Sequence, residues 1–145
     1  MRSAEQGHRL AFEGNLVMKY FPGFGIYDPN GNTYLEGWIR TNGGRSYKLK
    51  IDVPESYPYR KPKMYVIEPA TLYKKDGETT INSLGSSHSF HTLGNGPGGV
   101  VCICHVGSWD SSRTFVQILK KGMLWCEAYD AHLRTGKDIC EFLSS

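Results

Sequence analysis

Long hydrophobic runs are absent from this sequence: its apolar stretches last only a few residues, and no continuous apolar segment stands near its first residue. A membrane-spanning helix needs about 20 apolar residues and a secretory leader a core of about 7–15, so neither is expected. The expectation is a cytoplasmic protein with no membrane partner. Charge of one sign is lacking too. Seventeen Lys and Arg stand against 14 Asp and Glu, and the net +3 is scattered, so composition makes no case for a nucleic-acid partner. Cysteines are few, at 102, 104, 126 and 140, too sparse and too lopsided for a secreted disulfide framework. A reactive thiol, a metal site and plain buried cysteines all stay open. No repeat or low-complexity tract is present. With 39% hydrophobic and 12% aromatic residues among 145, one modest core can form, so residues 1–145 are expected to make a single domain.

The periodicities predict an order of elements. In 2–20, Leu10, Ala11, Leu16, Val17 and Tyr20 place an apolar stripe on one helical face, between Arg9, Glu13 and Lys19. From 24 to 27 the period changes to about two, and the turn formers Asp28, Pro29, Asn30, Gly31 and Asn32 follow. Residues 34–41 and 47–53 are β-prone, with Asn42, Gly43 and Gly44 supplying a hairpin turn, and a fourth strand is expected at 63–67. Residues 70–99 hold no sustained period and read as a long loop, of a length more often functional than idle. It leads into the short apolar run 100–104. Residues 114–134 then place Phe115, Ile118, Leu119, Met123, Cys126, Tyr129 and Leu133 at three- and four-residue steps, a long helix stopping near Gly136. A four-stranded antiparallel meander covered on one face by helices is an α+β layer fold.

Three passages then carry a family resemblance. Tyr57-Pro58-Tyr59-Arg60-Lys61-Pro62-Lys63-Met64 is similar to the Tyr-Pro-aromatic-basic-Pro-Pro-Lys-aliphatic segment that leads into the fourth strand of the ubiquitin-conjugating (UBC) family, with Lys61 in place of one proline. Gly99-Val100-Val101-Cys102-Ile103 resembles that family's Gly-x-aliphatic-Cys-Leu around its thioester cysteine, and Trp109 follows at nearly the usual distance. The chain most resembles short bacterial members, in which a long helix with a Trp and a Tyr, here Trp125 and Tyr129, precedes Thr-Gly, here Thr135-Gly136. The resemblance implies a UBC-like fold without the two C-terminal helices of eukaryotic relatives. It implies a transferase that uses no cofactor and takes a ubiquitin-like modifier from a ThiF-like activating enzyme, as a thioester on Cys102, to an amine of a target protein. It also implies a JAB-type protease encoded nearby and a role in antiphage defence. The family's His-Pro-Asn triplet is not reproduced, for His91 stands eleven residues before Cys102 and is followed by Thr92-Leu93. Aminolysis is thereby left without an assigned oxyanion donor.

Cysteine suits both halves of such a reaction, as a good nucleophile and a good leaving group. Within the resemblance, His91, with His88 nearby, is a candidate for an oxyanion contact or for setting the thiol's acidity. Asp110 is a candidate for positioning the incoming lysine, beside the simpler role of capping the long helix. Asn95 is a further candidate donor, though a Gly-Asn-Gly turn also accounts for it. Cys104 admits three readings: a packing residue, the nucleophile itself, or a zinc ligand with Cys102 and His91 or His105. A non-catalytic UBC-like or RWD-like interaction module and a zinc-binding structural protein are the rival functions. Trp109, Trp125 and Tyr129 read as core or rim aromatics, and Arg45, Lys48, Lys50, Arg60, Lys61 and Lys63 as a solvated sheet edge. Cys126 and Cys140 read as packing residues.

Overall fold

Helix α1 (Ala4–Tyr20) begins at a capping box, in which Ser3 Oγ accepts from the Gln6 amide and the Gln6 side chain accepts from the Ser3 amide, satisfying two of the donors that a helix start leaves unpaired. Its buried stripe is Leu10, Glu13 and Val17. The computed structural model describes residues 2–105 and 108–143.

Strands β1 (Phe24–Tyr27), β2 (Tyr34–Arg40), β3 (Ser46–Asp52) and β4 (Lys63–Glu68) follow as an antiparallel meander in chain order. Leu35, Gly37 and Ile39 of β2 and Tyr47, Leu49 and Ile51 of β3 are buried at every second position, as one covered face requires. The meander is only part of the sheet, and here the expectation is corrected. Among the described residues seven strands run in the order β1-β2-β3-β4-β7-β6-β5, every pair antiparallel. The added strands are β5 (Ser86–Ser87), β6 (Thr92–Asn95) and β7 (Val101–Ile103), so the expected loop at 70–99 is structured in part, with β5 and β6 inside it. Tyr73 and Thr80 form an isolated bridge, and short 3-10 turns occupy Asn82–Leu84 and Pro97–Gly99. Strands of two to four residues are too short to display a period. They are held instead by side chains: Thr92 Oγ1 donates to Gly85 O and accepts from the Ser87 amide.

Helix α2 (Phe115–Thr135) is capped by Thr114 and Gln117 in a second capping box and ends at Gly136. Asp110 is therefore not its cap. A Cβ on Gly122 would stand 2.8 Å from Leu49 Cδ1 and 2.9 Å from Met64 Sδ, so the missing side chain is what lets α2 approach β3 and β4. Trp125, Cys126 and Tyr129 are buried in the layer between α2 and the sheet. A 3-10 turn, Ile139–Phe142, follows α2 and seats Ile139 in the core. The molecule is thus α+β, with both helices on one face of the sheet. Among the described residues no helix is long and apolar enough to cross a membrane.

Candidate functional site

The site is built on β7. Val101 and Ile103 point into the core, and Cys102 between them faces away from the helices, since alternation sends neighbours to opposite faces. Its direct partner across the β4–β7 pair is Tyr65. The two share a face, at the roughly 4.5–5.5 Å Cβ separation of such pairs. The Tyr65 ring reaches the far side of β7, where a Cβ on Gly96 would lie 2.3 Å from its Cε1. Only glycine fits beneath that ring. The result is a covered thiol, with Cys102 4% and Tyr65 6% exposed.

Burial pushes the Cys102 thiol up from its ordinary range, against the opposing pull of Lys63, Lys61 and a hydrogen bond from the Met64 backbone, while Cys104 adds to the rise. Burial, the field of Cys102 and Asp52 push the Tyr65 phenol up to about 12. Tyr65 thus remains protonated at neutral pH. None of the four cysteines is in a disulfide.

The other residues singled out from the sequence divide into neighbours of β7 and residues used elsewhere. His91, at φ 52°, lies in the β5–β6 turn, and its carbonyl accepts from the Cys104 amide at 2.9 Å, so it stands opposite Cys104 rather than Cys102. Its ring stacks on His88 at 5.8 Å, and burial followed by that neighbour lowers its pKa. Asn95 spends its Nδ2 on Asn82 O and Gly99 O, as a loop brace. Asp110 accepts from the amide and hydroxyl of Ser112 and pairs with Arg113; these Ser112 bonds, then Arg113, hold its carboxyl below the usual range despite its exposure. Cys104 is half-buried just beyond β7. His105 donates Nε2–H to Pro62 O at 2.8 Å, its ring meeting Trp109 edge-on at 6.3 Å. Among the described residues no group of three or more His, Cys, Asp or Glu is arranged to hold a metal.

Segments distant in the chain converge beside β7. Trp109 Nε1 donates to Pro58 O at 2.8 Å, and Tyr57 packs between Trp109 and Phe115, stacked on the latter at 4.5 Å. Behind them lies a network that sequence reading did not find. The buried Glu13 carboxylate accepts from Tyr57 Oη, Arg9 Nε and the Phe115 amide, while Arg9 also donates to Ser111 O and Arg113 O. A glutamate placed on the buried face of an amphipathic helix was its one visible signal. Tyr65 was missed as well, although the alternation of β4 puts it on the face opposite Met64 and Val66. Of the basic residues, Lys48 pairs with Glu36, Lys50 with Asp52 and Arg45 with buried Asp130.

Comparison with protein-family models, with curated proteins and with solved structures found no match to this chain.

Proposed function

We propose that this chain is a ubiquitin-like-protein conjugating enzyme of the UBC fold and bacterial type, with Cys102 as its acyl-carrying nucleophile. The observation that carries this reading is a convergence. The Tyr57–Met64 segment, the Cys102 strand and Trp109, on which the resemblance rests, are 40 or more residues apart at the extremes, yet β4 pairs with β7 and Trp109 bonds to Pro58. In the proposed reaction the Cys102 thiolate attacks the thioester carbonyl of a modifier held by a ThiF-like activating enzyme. A C–S bond forms, the donor thiolate leaves and takes up a proton, and the exchange is nearly balanced in energy. A target amine then attacks the new thioester; the C–N bond forms, the C–S bond breaks, and the amine's proton ends on solvent as Cys102 is released. Burial raises the Cys102 thiol overall, and Lys63 and Lys61 pull the other way, toward the thiolate that both steps need.

The test combines the protein with a ThiF-type activating enzyme, its ubiquitin-like modifier and ATP on a non-reducing gel. A reductant-sensitive adduct that disappears in Cys102→Ala is expected; no adduct, or one that survives the substitution, overturns the proposal. One observation favours a second reading, a non-catalytic UBC-like interaction module: Cys102 is only 4% exposed. A Cys102 thiol that no activated modifier acylates, in a chain that still binds the modifier, is the result that reading predicts.

A further inference from the structure

No observed contact sets His91, Asn95 or Asp110 against Cys102. His91 stands across from Cys104 and stacks on His88. The Asn95 amide is spent on Asn82 and Gly99 carbonyls, and a carboxylate such as Asp110, holding Ser112 and Arg113, accepts rather than donates. Tyr65 differs from all three. It is the residue directly opposite Cys102 in the β4–β7 register, and it shares the face on which the thiol lies. Because the sheet order is β4-β7-β6, a ring that starts on β4 and rests on Gly96 past the end of β6 must cross the strand that carries the thiol. Its hydroxyl is engaged by no hydrogen bond among the described residues.

We infer that the Tyr65 hydroxyl is the oxyanion donor for acyl transfer at Cys102, a catalytic residue standing where this chain lacks an asparagine. The inference rests on the function proposed above. In the transition state the thioester carbonyl oxygen gathers negative charge, and Tyr65 donates its O–H to that oxygen while keeping its proton. A donor aimed at developing charge inside a covered site is worth about 10²–10³ in rate. The phenol stays a donor throughout the useful pH range, because burial and its neighbours push it up to about 12. Gly96 belongs to the same device: any side chain there would displace the ring.

The test uses a small acyl donor in place of the unidentified modifier: a peptide ending in Gly-Gly as its mercaptoethanesulfonate thioester. Wild type and Tyr65→Phe are acylated to completion, mass spectrometry locates the acyl group on Cys102, and discharge to free lysine is followed in single turnover. Tyr65→Phe keeps the ring over Gly96 and loses only the hydroxyl. The expected result is a discharge rate lower by about 10²-fold at saturating lysine, with the lysine concentration for half-maximal rate unchanged. Equal rates for the two proteins overturn the inference, as does a rate lost only in Tyr65→Leu, which would make the ring a cover and nothing more. Failure of wild type to acylate at Cys102 overturns the function on which the inference rests, a result distinct from either.

Discussion

His105 shows how one buried side chain makes stability depend on pH. Burial lowers its pKa first, with Lys61 and Arg113 adding to the effect against the bond to Pro62. Its Nδ1 is buried with no partner among the described residues. The unfolded chain binds a proton at an ordinary histidine pKa near 6.5, while the folded chain resists it to lower pH. Below about 6.5 the unfolded state therefore holds more protons, and stability falls as pH drops until the folded state is protonated too. The contribution is fully present above 6.5. Urea midpoints at pH 7.5 and 5.5 measure the fall. His105→Gln keeps an N–H for Pro62 O and cannot titrate in this range, so its midpoint is expected to change less between the two pH values; an unchanged difference would assign the effect elsewhere. Half-buried His91 shifts in the same direction and adds to the fall. The histidine itself was evident beside Cys104 in the sequence. Its bond to Pro62 was not, because nothing local connects residues 43 positions apart.

At the scale of elements, the close approach of α2 to the sheet hangs on Gly122. A side chain there meets Leu49 and Met64 at distances below van der Waals contact, so Gly122→Val must push the helix outward or force both neighbours off their rotamers. Overpacking of this kind costs about 1–3 kcal/mol, and the β-branched residue regains nothing from helix propensity beyond relief of the glycine penalty. Thermal or urea unfolding should show that loss, whereas Gly7→Ala in α1, where a Cβ meets nothing, should leave stability equal or higher. Helix α2 was legible from its three- and four-residue spacing, as were α1 and the four strands of the meander. Strands β5, β6 and β7 were not. Ser86–Ser87 and Val101–Ile103 are two and three residues long, below the length at which alternation differs from chance, and their pairing is settled by bonds such as Thr92 Oγ1 to Gly85 O.

For the whole molecule, α2 is the post to which the 70–99 region is tied. Trp125 Nε1 donates to Phe90 O at 2.9 Å, and Tyr129 Oη donates to Tyr73 O at 2.7 Å. Buried His132 accepts from the Lys75 amide through Nε2 and donates Nδ1–H to Lys137 O, and the Cys140 amide donates to Ser89 O. Trp125→Phe removes one tie and leaves a buried carbonyl at Phe90 unsatisfied, a loss of about 1–3 kcal/mol before any cavity is counted. Hydrogen exchange should then quicken in the amides of 86–95 more than in those of β2 and β3, and uniform exchange would deny α2 this role. The same ties matter to the candidate site, for they hold β6 and Gly96 under Tyr65. Residue order sufficed for the helices, the meander and its turns, since each rests on spacing within a few residues, and a short motif is what put Cys102 forward as the candidate nucleophile. Folding in space settled the seven-strand sheet, the burial of the thiol, the partners that occupy Asn95 and Asp110, the placement of His91 opposite Cys104, and the pairing of Tyr65 with Cys102. Those depend on register between strands distant in the chain, and register is chosen by the packing of the whole core, which no local pattern of residues encodes.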